Sequence, residues 1–341
     1  MATLLETPET GHAASEGSTM KAIVQEGTGS ADALHLREVD KPALEDDRVL
    51  VRVRAASVNA LDWHTVHGGF ILTVVSKLMR SKDYPIRGVD LAGVVEAVGK
   101  DVTGLRPGDE VFGTGRGAFA EWSSPLERGL VKKPKELTFM QAATVGVAAT
   151  TALQGLRDHG LVKPGQRVLI HGAGGGVGTY AVQFAKVLGA HVTAVTGPKN
   201  VDLVSALGPD VLIDYSQEDV AKGNERYDVI LDVAATRSIG TMRQLLTPTG
   251  IFVQCGASKS GWLNVFGRII ALIVRSRLLK QRVLMYIART NQADLTYIGE
   301  LIVAGTVRPV IDRAYPLAEG VEAVRYLGTG QARAKVVINV S

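Results

Sequence analysis

The chain has 341 residues, 46% of them apolar, and 38 Lys and Arg against 34 Asp and Glu give a net charge of +4. That length exceeds one small core and admits two domains, while so mild a charge excess provides no footprint for nucleic acid. A lone cysteine, Cys255, excludes a disulfide framework and a cysteine-rich zinc site.

Residues 1–19 are small and polar, without the basic start and apolar block of a signal peptide, and read as a mobile tail. No apolar run reaches the roughly 18–20 residues of a spanning helix, so a cytoplasmic protein is expected. From Met20 the chain is rich in short β-branched runs: KAIVQ, RVLVRVRAASV (Arg48–Val58), AGVVEAVG and DEVFG, separated by Gly, Pro and Asp. LRPGDEVFG reads as a turn into a strand, with Pro107 and Gly108 at the bend. From about Thr144, strands alternate with helices. The strands are RVLIHGA, HVTAVTG, VLIDY (Val211–Tyr215), DVILDVA (Asp228–Ala234) and IFVQCGA (Ile251–Ala257), with helical stretches such as Thr179–Leu188 and Ser238–Leu246 between them. Continuous apolar strands joined by helical crossovers predict a parallel sheet covered on both faces, the doubly wound α/β class. The final section reads helix, strand, helix, strand, and either extends that sheet or returns to the first half.

Between RVLIH and the helix near Val177 lie Gly172, Gly174, Gly175, Gly176 and Gly178. Glycines at such a turn let the chain bend sharply, let phosphate oxygens approach the backbone, and let the helix pack close to the strand. The helix then aims its free N–H groups and positive dipole end at a pyrophosphate. Strict G-x-G-x-x-G is absent, the spacing being Gly172-x-x-Gly175-x-x-Gly178. Its placement inside a strand–helix–strand unit nevertheless predicts a Rossmann-type dinucleotide site involving Gly174, Gly175, Gly176 and Val177. An NAD site usually carries an acid at the end of the second strand, to accept from the ribose 2′-OH. Here VTAVTGPKN supplies Thr196 and Lys199 instead, and Tyr215 ends the third strand. A cation and two hydroxyls suit a 2′-phosphate, so NADPH is the expected cofactor.

With these residues in view, the chain resembles the medium-chain dehydrogenase/reductase superfamily, in its zinc-free quinone oxidoreductase (zeta-crystallin-like) branch. The resemblance runs from Met20 to Val340 and rests on ASVNALDWHTVHG, RGVDLAGVVEAVG, LRPGDEVFG, GAFAEW, TTALQGL, HGAGGGVGTYAVQFAKVLGA and AKVVINV, in that order. It implies a GroES-like β-barrel catalytic domain from 20–146 and 290–341, with the Rossmann NADP-binding domain at 147–289 between them. It also implies an active site in the cleft between the two.

Zinc-dependent relatives carry Cys where this chain has Asn59, and Gly-His-Glu where it has Gly88-Val89-Asp90. Val89 offers no ligand atom to Zn²⁺, so metal-free catalysis is expected. Without a Lewis acid to stabilise an alkoxide, the easier reaction is hydride addition to a quinone or the β-carbon of an enone, where the developing charge spreads. The resemblance makes Asn59 the leading candidate to touch the substrate oxygen or the nicotinamide ribose, followed by Asp62 and His64. The family often has a Tyr near Trp63–His64; its absence leaves water or a nearby side chain as the proton source. Thr151 matches a residue bordering the nicotinamide, its bland alternative being a helix-start cap. On the far side of the cofactor the resemblance places Ala234 and Ala235, at the fourth strand's end, where the family more typically has Val-Gly. Gly256 and Ala257 match backbone that passes beneath the nicotinamide ribose.

Two apolar, basic segments, 68–82 and 261–289, are longer than this pattern requires. In the second, Arg268, Arg275 and Arg282 recur every seven residues, which on a helix puts them on one stripe. A hydrophobic lid over an apolar small-molecule substrate is the favoured reading, against a core or dimer-interface helix and a weak peripheral membrane contact. A homodimer is expected, as in relatives. The rival activities are an NADP(H)-dependent alcohol or ketone oxidoreductase and an NADPH-binding protein without turnover.

Overall fold

The computed structural model describes residues 19–27, 29–67, 85–255 and 280–340. Residues 1–18 of the expected tail, Gly256, Ala257, all of segment 68–82 and residues 261–279 of the second segment therefore lie outside the described residues.

The first half is built from alternating apolar runs. Strands β1 (Thr19–Gln25) and β2 (Leu34–Asp40) form an antiparallel ribbon whose first pair is Thr19 with Asp40, so Thr19 belongs to a strand and not to the tail. Strand β3 (Val49–Val58) pairs antiparallel with β4 (Asp90–Val98), which pairs with β5 (Glu110–Thr114). Short β6 (Trp122–Ser123) pairs with β3, and β7 (Leu130–Lys132) with β5. Gly108, at the turn into β5, sits at φ +91°, a left-handed conformation that favours glycine. Helix α1 (Ala60–Val66) follows β3, and α2 (Phe139–Ala143) and α3 (Gly146–Gln154) lead into the second half.

The second half is a six-stranded parallel sheet. Its strands are β8 (Arg167–His171), β9 (His191–Thr196), β10 (Val211–Asp214), β11 (Tyr227–Asp232), β12 (Leu246–Gln254) and β13 (Arg282–Met285), in the order β10-β9-β8-β11-β12-β13. Chain order reverses between β8 and β11. Within β8, Val168 and Ile170 pack into one core while Leu169 packs into another with Val195, Ile230 and Phe252. Successive strand residues thus bury opposite faces, which is why these strands read as unbroken apolar runs. Burying a side chain such as Phe252 stabilises by about 1.5–3 kcal/mol. Helix α4 (Gly176–Val187) crosses from β8 to β9, α5 (Val201–Ser205) follows β9, and α6 (Ile239–Gln244) precedes β12.

Strand β13 is the main departure from expectation. It falls inside the segment read as one helical insertion, so Arg282 sits in a strand and does not continue a helical stripe from Arg268 and Arg275. A four-residue strand is too short for apolar periodicity to distinguish from a helix turn. Leu246 likewise opens β12, where a helix end was expected.

The last section forms α7 (Gln292–Val303), β14 (Ile311–Pro316), α8 (Gly320–Gly328) and β15 (Lys335–Asn339). Strand β15 pairs antiparallel with β3, and β14 pairs with β15, so of the two placements left open these strands take the first half. The resulting seven-stranded sheet runs β14-β15-β3-β4-β5-β7, with β6 paired to β3 off this path. Among the described residues no helix is long and apolar enough to cross a membrane.

Candidate functional site

The glycine turn after β8 is enclosed on three sides. Gly172 adopts φ +95°, and a Cβ there would stand 3.0 Å from the Ala234 Cβ, just past the end of β11. A Cβ on Gly178 would stand 2.1 Å from the Gly172 carbonyl oxygen, so the first turn of α4 rests on the turn's own backbone. At Gly174 a Cβ would meet the Asn200 amide at 2.5 Å, and at Gly176 the Lys335 stem at 2.9 Å. At these four positions a Cβ would therefore crowd its neighbours, whereas at Gly175 it would stand 3.8 Å from the Gly172 oxygen, an ordinary contact. Helix α4 begins at Gly176, where the sequence suggested Val177, and its first N–H groups lack intrahelical partners. The cradle that a Cβ would fill, together with these donors, fits a pyrophosphate.

Strand β9 ends at buried Thr196, whose carbonyl accepts from the Tyr215 N–H at 3.0 Å. The Tyr215 ring lies over Gly197 and is 61% exposed. Lys199 is exposed, its Nζ 3.5 Å from the Gln331 Oε1. Thr196, Lys199 and Tyr215 thus lie at the neighbouring ends of β9 and β10; the acid beside them is Asp214, the register partner of Thr196, whose carboxylate accepts from the Ser216 N–H at 2.9 Å and hydroxyl at 2.8 Å. Ala234 packs on Gly172 across the switch from β8 to β11. Thr151 is no helix-start cap: it lies well inside α3, where its hydroxyl donates to the Val147 carbonyl at 2.7 Å. Its own carbonyl accepts from the Tyr286 hydroxyl.

The first two candidates on α1 belong to a buried network that the sequence reading only half anticipated. Asn59, at the N-terminus of α1, accepts from the Lys335 ammonium at 2.6 Å through Oδ1 and donates through Nδ2 to the Asp90 carboxylate at 2.9 Å. Its backbone N–H donates to the Asp62 carboxylate at 2.8 Å. Asp90 also accepts from the Ser57 hydroxyl at 3.0 Å and from the Val147 N–H at the start of α3 at 2.8 Å. Lys335 lies 3.4 Å from the same carboxylate. Asp90 and Lys335 are 0% and 2% exposed. Both ends of the Asn59 amide are thereby engaged inside the protein, which suits a positioning role better than a direct substrate contact.

Two carboxylates face one ammonium in this network. Burial foremost pushes the Asp62 carboxyl up to about 7, with nearby Asp90 adding to the rise and the Asn59 N–H and Lys335 opposing it. Burial also pushes Lys335 down, against the pull of Asp90 and Asp62. His64 sits farther along α1, half-buried, its ring edge-on to Trp63 at 5.1 Å. The network reaches the glycine turn through the residue before Lys335. The Ala334 N–H donates to the Gly174 carbonyl at 2.8 Å, and Ala334 is bridged to Gly175.

Sequence reasoning missed Lys335, Asp90 and Asn200. Lys335 had a signal, as the one charge in the apolar strand KVVIN; Asp90 had one in DLAGVV. Asn200, against Gly174, had none. Among the described residues no group of three or more His, Cys, Asp or Glu is arranged to hold a metal ion.

Comparison with known proteins places this architecture. Residues 45–135 match the family described as alcohol dehydrogenase GroES-like domain, and residues 207–338 the one described as zinc-binding dehydrogenase. The chain is 32% identical to 2-methylene-furan-3-one reductase of Solanum lycopersicum over 97% of this chain and 82% of that enzyme. It is 31% identical to the chloroplastic NADPH-dependent alkenal/one oxidoreductase of Arabidopsis thaliana, over 94% and 79%. The solved quinone oxidoreductase of Coxiella burnetii superposes with a TM-score of 0.84 at 30% identity, covering 95% of this chain and all (100%) of that one. The chain therefore belongs to the medium-chain dehydrogenase/reductase superfamily, in its quinone oxidoreductase-like branch, and is an oxidoreductase that uses a nicotinamide cofactor.

Proposed function

We propose that this protein is an NADPH-dependent reductase that transfers hydride, without a metal, to a quinone or an α,β-unsaturated carbonyl. The observation that carries the reading is the end of β9. The glycine cradle after β8 fits a dinucleotide, and beside it the end of β9 carries Thr196 and Lys199 in place of an acid, with the Tyr215 hydroxyl close by and the neighbouring Asp214 carboxylate bonded to Ser216. The names of the tomato, Arabidopsis and Coxiella relatives support the acceptor class.

The metal-free part rests on the donor set. Where zinc-dependent relatives place ligands, this chain has Asn59, Val89 and Asp90, and the Lys335 ammonium already bridges Asn59 and Asp90. A fixed cation thus occupies the polar corner that a metal would need.

When bound, NADPH supplies the hydride. The chain's residues would bind and orient it: α4 and the glycine turn would hold the pyrophosphate, on a turn that Ala334 pins through Gly174. By the family resemblance, Thr151 and Ala234 would border the nicotinamide half. Asn59, fixed by Lys335 and Asp90, shapes the wall on the substrate side with Asp62. The proton that completes the reduction would come from water or a nearby side chain.

The test is NADPH oxidation across quinones, short enals and long-chain enones, repeated with NADH and with Lys199→Ala. We expect turnover with NADPH, and a KM for NADPH that rises far more than that for NADH in the variant. No oxidation with any acceptor would leave a binding protein without turnover. NADP⁺ reduction by simple alcohols would favour alcohol chemistry, and equal effects on both cofactors would remove the role given to Lys199.

A further inference from the structure

A second buried pair stands where the parallel sheet reverses. His171 ends β8 and Asp232 ends β11, and the two are register partners across the sheet. The His171 Nδ1 lies 2.7 Å from the Asp232 Oδ1, and the residues are 4% and 1% exposed. An ionised Asp232 requires the proton on Nδ1, which makes this a charge-assisted hydrogen bond. The same Oδ1 accepts the Ala235 N–H at 2.9 Å. In return the His171 carbonyl accepts from the Val233 N–H at 2.9 Å and the Ala234 N–H at 3.2 Å.

These bonds join two loops. His171 leads directly into the glycine turn, and Asp232 leads into Val233-Ala234-Ala235. Ala235 is held at φ +50°, a left-handed conformation costing a non-glycine residue about 1–2 kcal/mol, and its N–H is anchored on Asp232. The contact between Gly172 and Ala234 leaves no slack, since even a methyl group at Gly172 would stand 3.0 Å from the Ala234 Cβ and N. In a doubly wound sheet a dinucleotide lies across the carboxyl ends of the strands at this reversal, one nucleotide over each half. The pair therefore sits on the seam between the two halves of the ligand. A purely structural sheet has no need of a buried imidazole–carboxylate pair there, because apolar side chains of similar volume stabilise at least as well.

We infer that His171 and Asp232 are positioning residues that fix the spacing of the glycine turn and the 233–235 loop, so that one rigid site spans both halves of the dinucleotide. This rests on the dinucleotide reading given above. The pair touches neither nucleotide itself; it acts through the two loops. Its loss should spare a ligand that occupies only the β8–β10 half and weaken one that must bridge the seam.

The experiment compares two probes, adenosine 2′,5′-bisphosphate, which fills only the adenosine half, and intact NADPH. Each is titrated calorimetrically into the full chain and into His171→Leu, His171→Asn and Asp232→Asn, with thermal unfolding measured alongside. In His171→Leu we expect NADPH to bind roughly tenfold or more weakly, the effect of losing a charge-assisted hydrogen bond, with the bisphosphate unchanged. His171→Asn, whose Nδ2 takes the place of Nδ1, should recover most of the loss. Asp232→Asn keeps an acceptor and the side-chain shape, so it reports even if His171→Leu fails to fold; it should lose NADPH affinity severalfold, again with the bisphosphate unaffected. Equal weakening of both probes, or no weakening of either, overturns the inference. A wild-type chain that binds neither probe overturns the dinucleotide reading instead, and the inference with it.

Discussion

Asp62 makes the network around Asn59 measurable through its dependence on pH. The carboxyl is raised from 3.8 to about 7 in the folded protein, chiefly by burial. Between those values the folded state holds a proton that the unfolded chain releases. The stability associated with this group is therefore fully present below pH 3.8 and is lost as pH rises through about 7. A rise of about three units at 1.36 kcal/mol each sets the loss on the order of 4 kcal/mol. In Asp62→Asn the side chain stays neutral at every pH and keeps an oxygen to accept the Asn59 N–H. The variant should match or fall slightly below wild type near pH 4.5 and exceed it by a few kcal/mol near pH 8. Urea unfolding followed by tryptophan fluorescence at several pH values measures the difference directly, and subtracting the two curves removes the titration of groups not coupled to Asp62. A difference that stays flat from pH 4.5 to 8 would refute the claim that Asp62 is buried with a retained proton.

The other expectations follow from the same geometry. Lys335→Met leaves the Asp90 carboxylate buried without its cation and should cost about 3–5 kcal/mol in urea unfolding, a loss that adding Asp90→Asn should partly reverse; an unaltered midpoint would mean the pair is not buried as described. Gly178→Ala forces a Cβ to within 2.1 Å of the Gly172 oxygen, backbone against backbone, so both the melting temperature and NADPH affinity should fall, and normal values of both would contradict the packing of the turn. Tyr180→Phe removes a buried hydrogen bond to the Thr144 hydroxyl, 2.7 Å long, and should cost about 1 kcal/mol, because Thr144 can still donate to the Gln141 carbonyl.

Much of the second half was legible because its strands are buried on both faces and its crossover helix follows a glycine turn. RVLIH, HVTAV, VLID and VILD are uninterrupted apolar runs, and only a covered parallel sheet makes such runs stable. Strand β13 was not legible, since Arg282–Met285 is short and follows an apolar, basic stretch that mimics a helix face. β2, LHLREVD, was missed for the opposite reason, its polar residues facing solvent on an edge ribbon. At the site, the glycine turn could be read from its spacing and placement, whereas Asn59 and Asp62 became candidates only through the family resemblance. Lys335 stood out as the one charge of an apolar strand, but its partners could not be read, because they are 276 and 245 residues away in sequence and meet it only when β15 folds back on β3. The His171–Asp232 pair was hidden in the same way. Each residue looks like an ordinary polar strand end until the sheet sets them side by side.

The central claim is that the turn after β8 grips a nicotinamide dinucleotide with a 2′-phosphate. Isothermal titration calorimetry of the purified chain with NADPH and, separately, NADH tests it most directly. The account predicts one site per chain, with NADPH the tighter ligand and its advantage shrinking at high salt as the Lys199 attraction is screened. No heat with either nucleotide, or a tighter NADH, would contradict it.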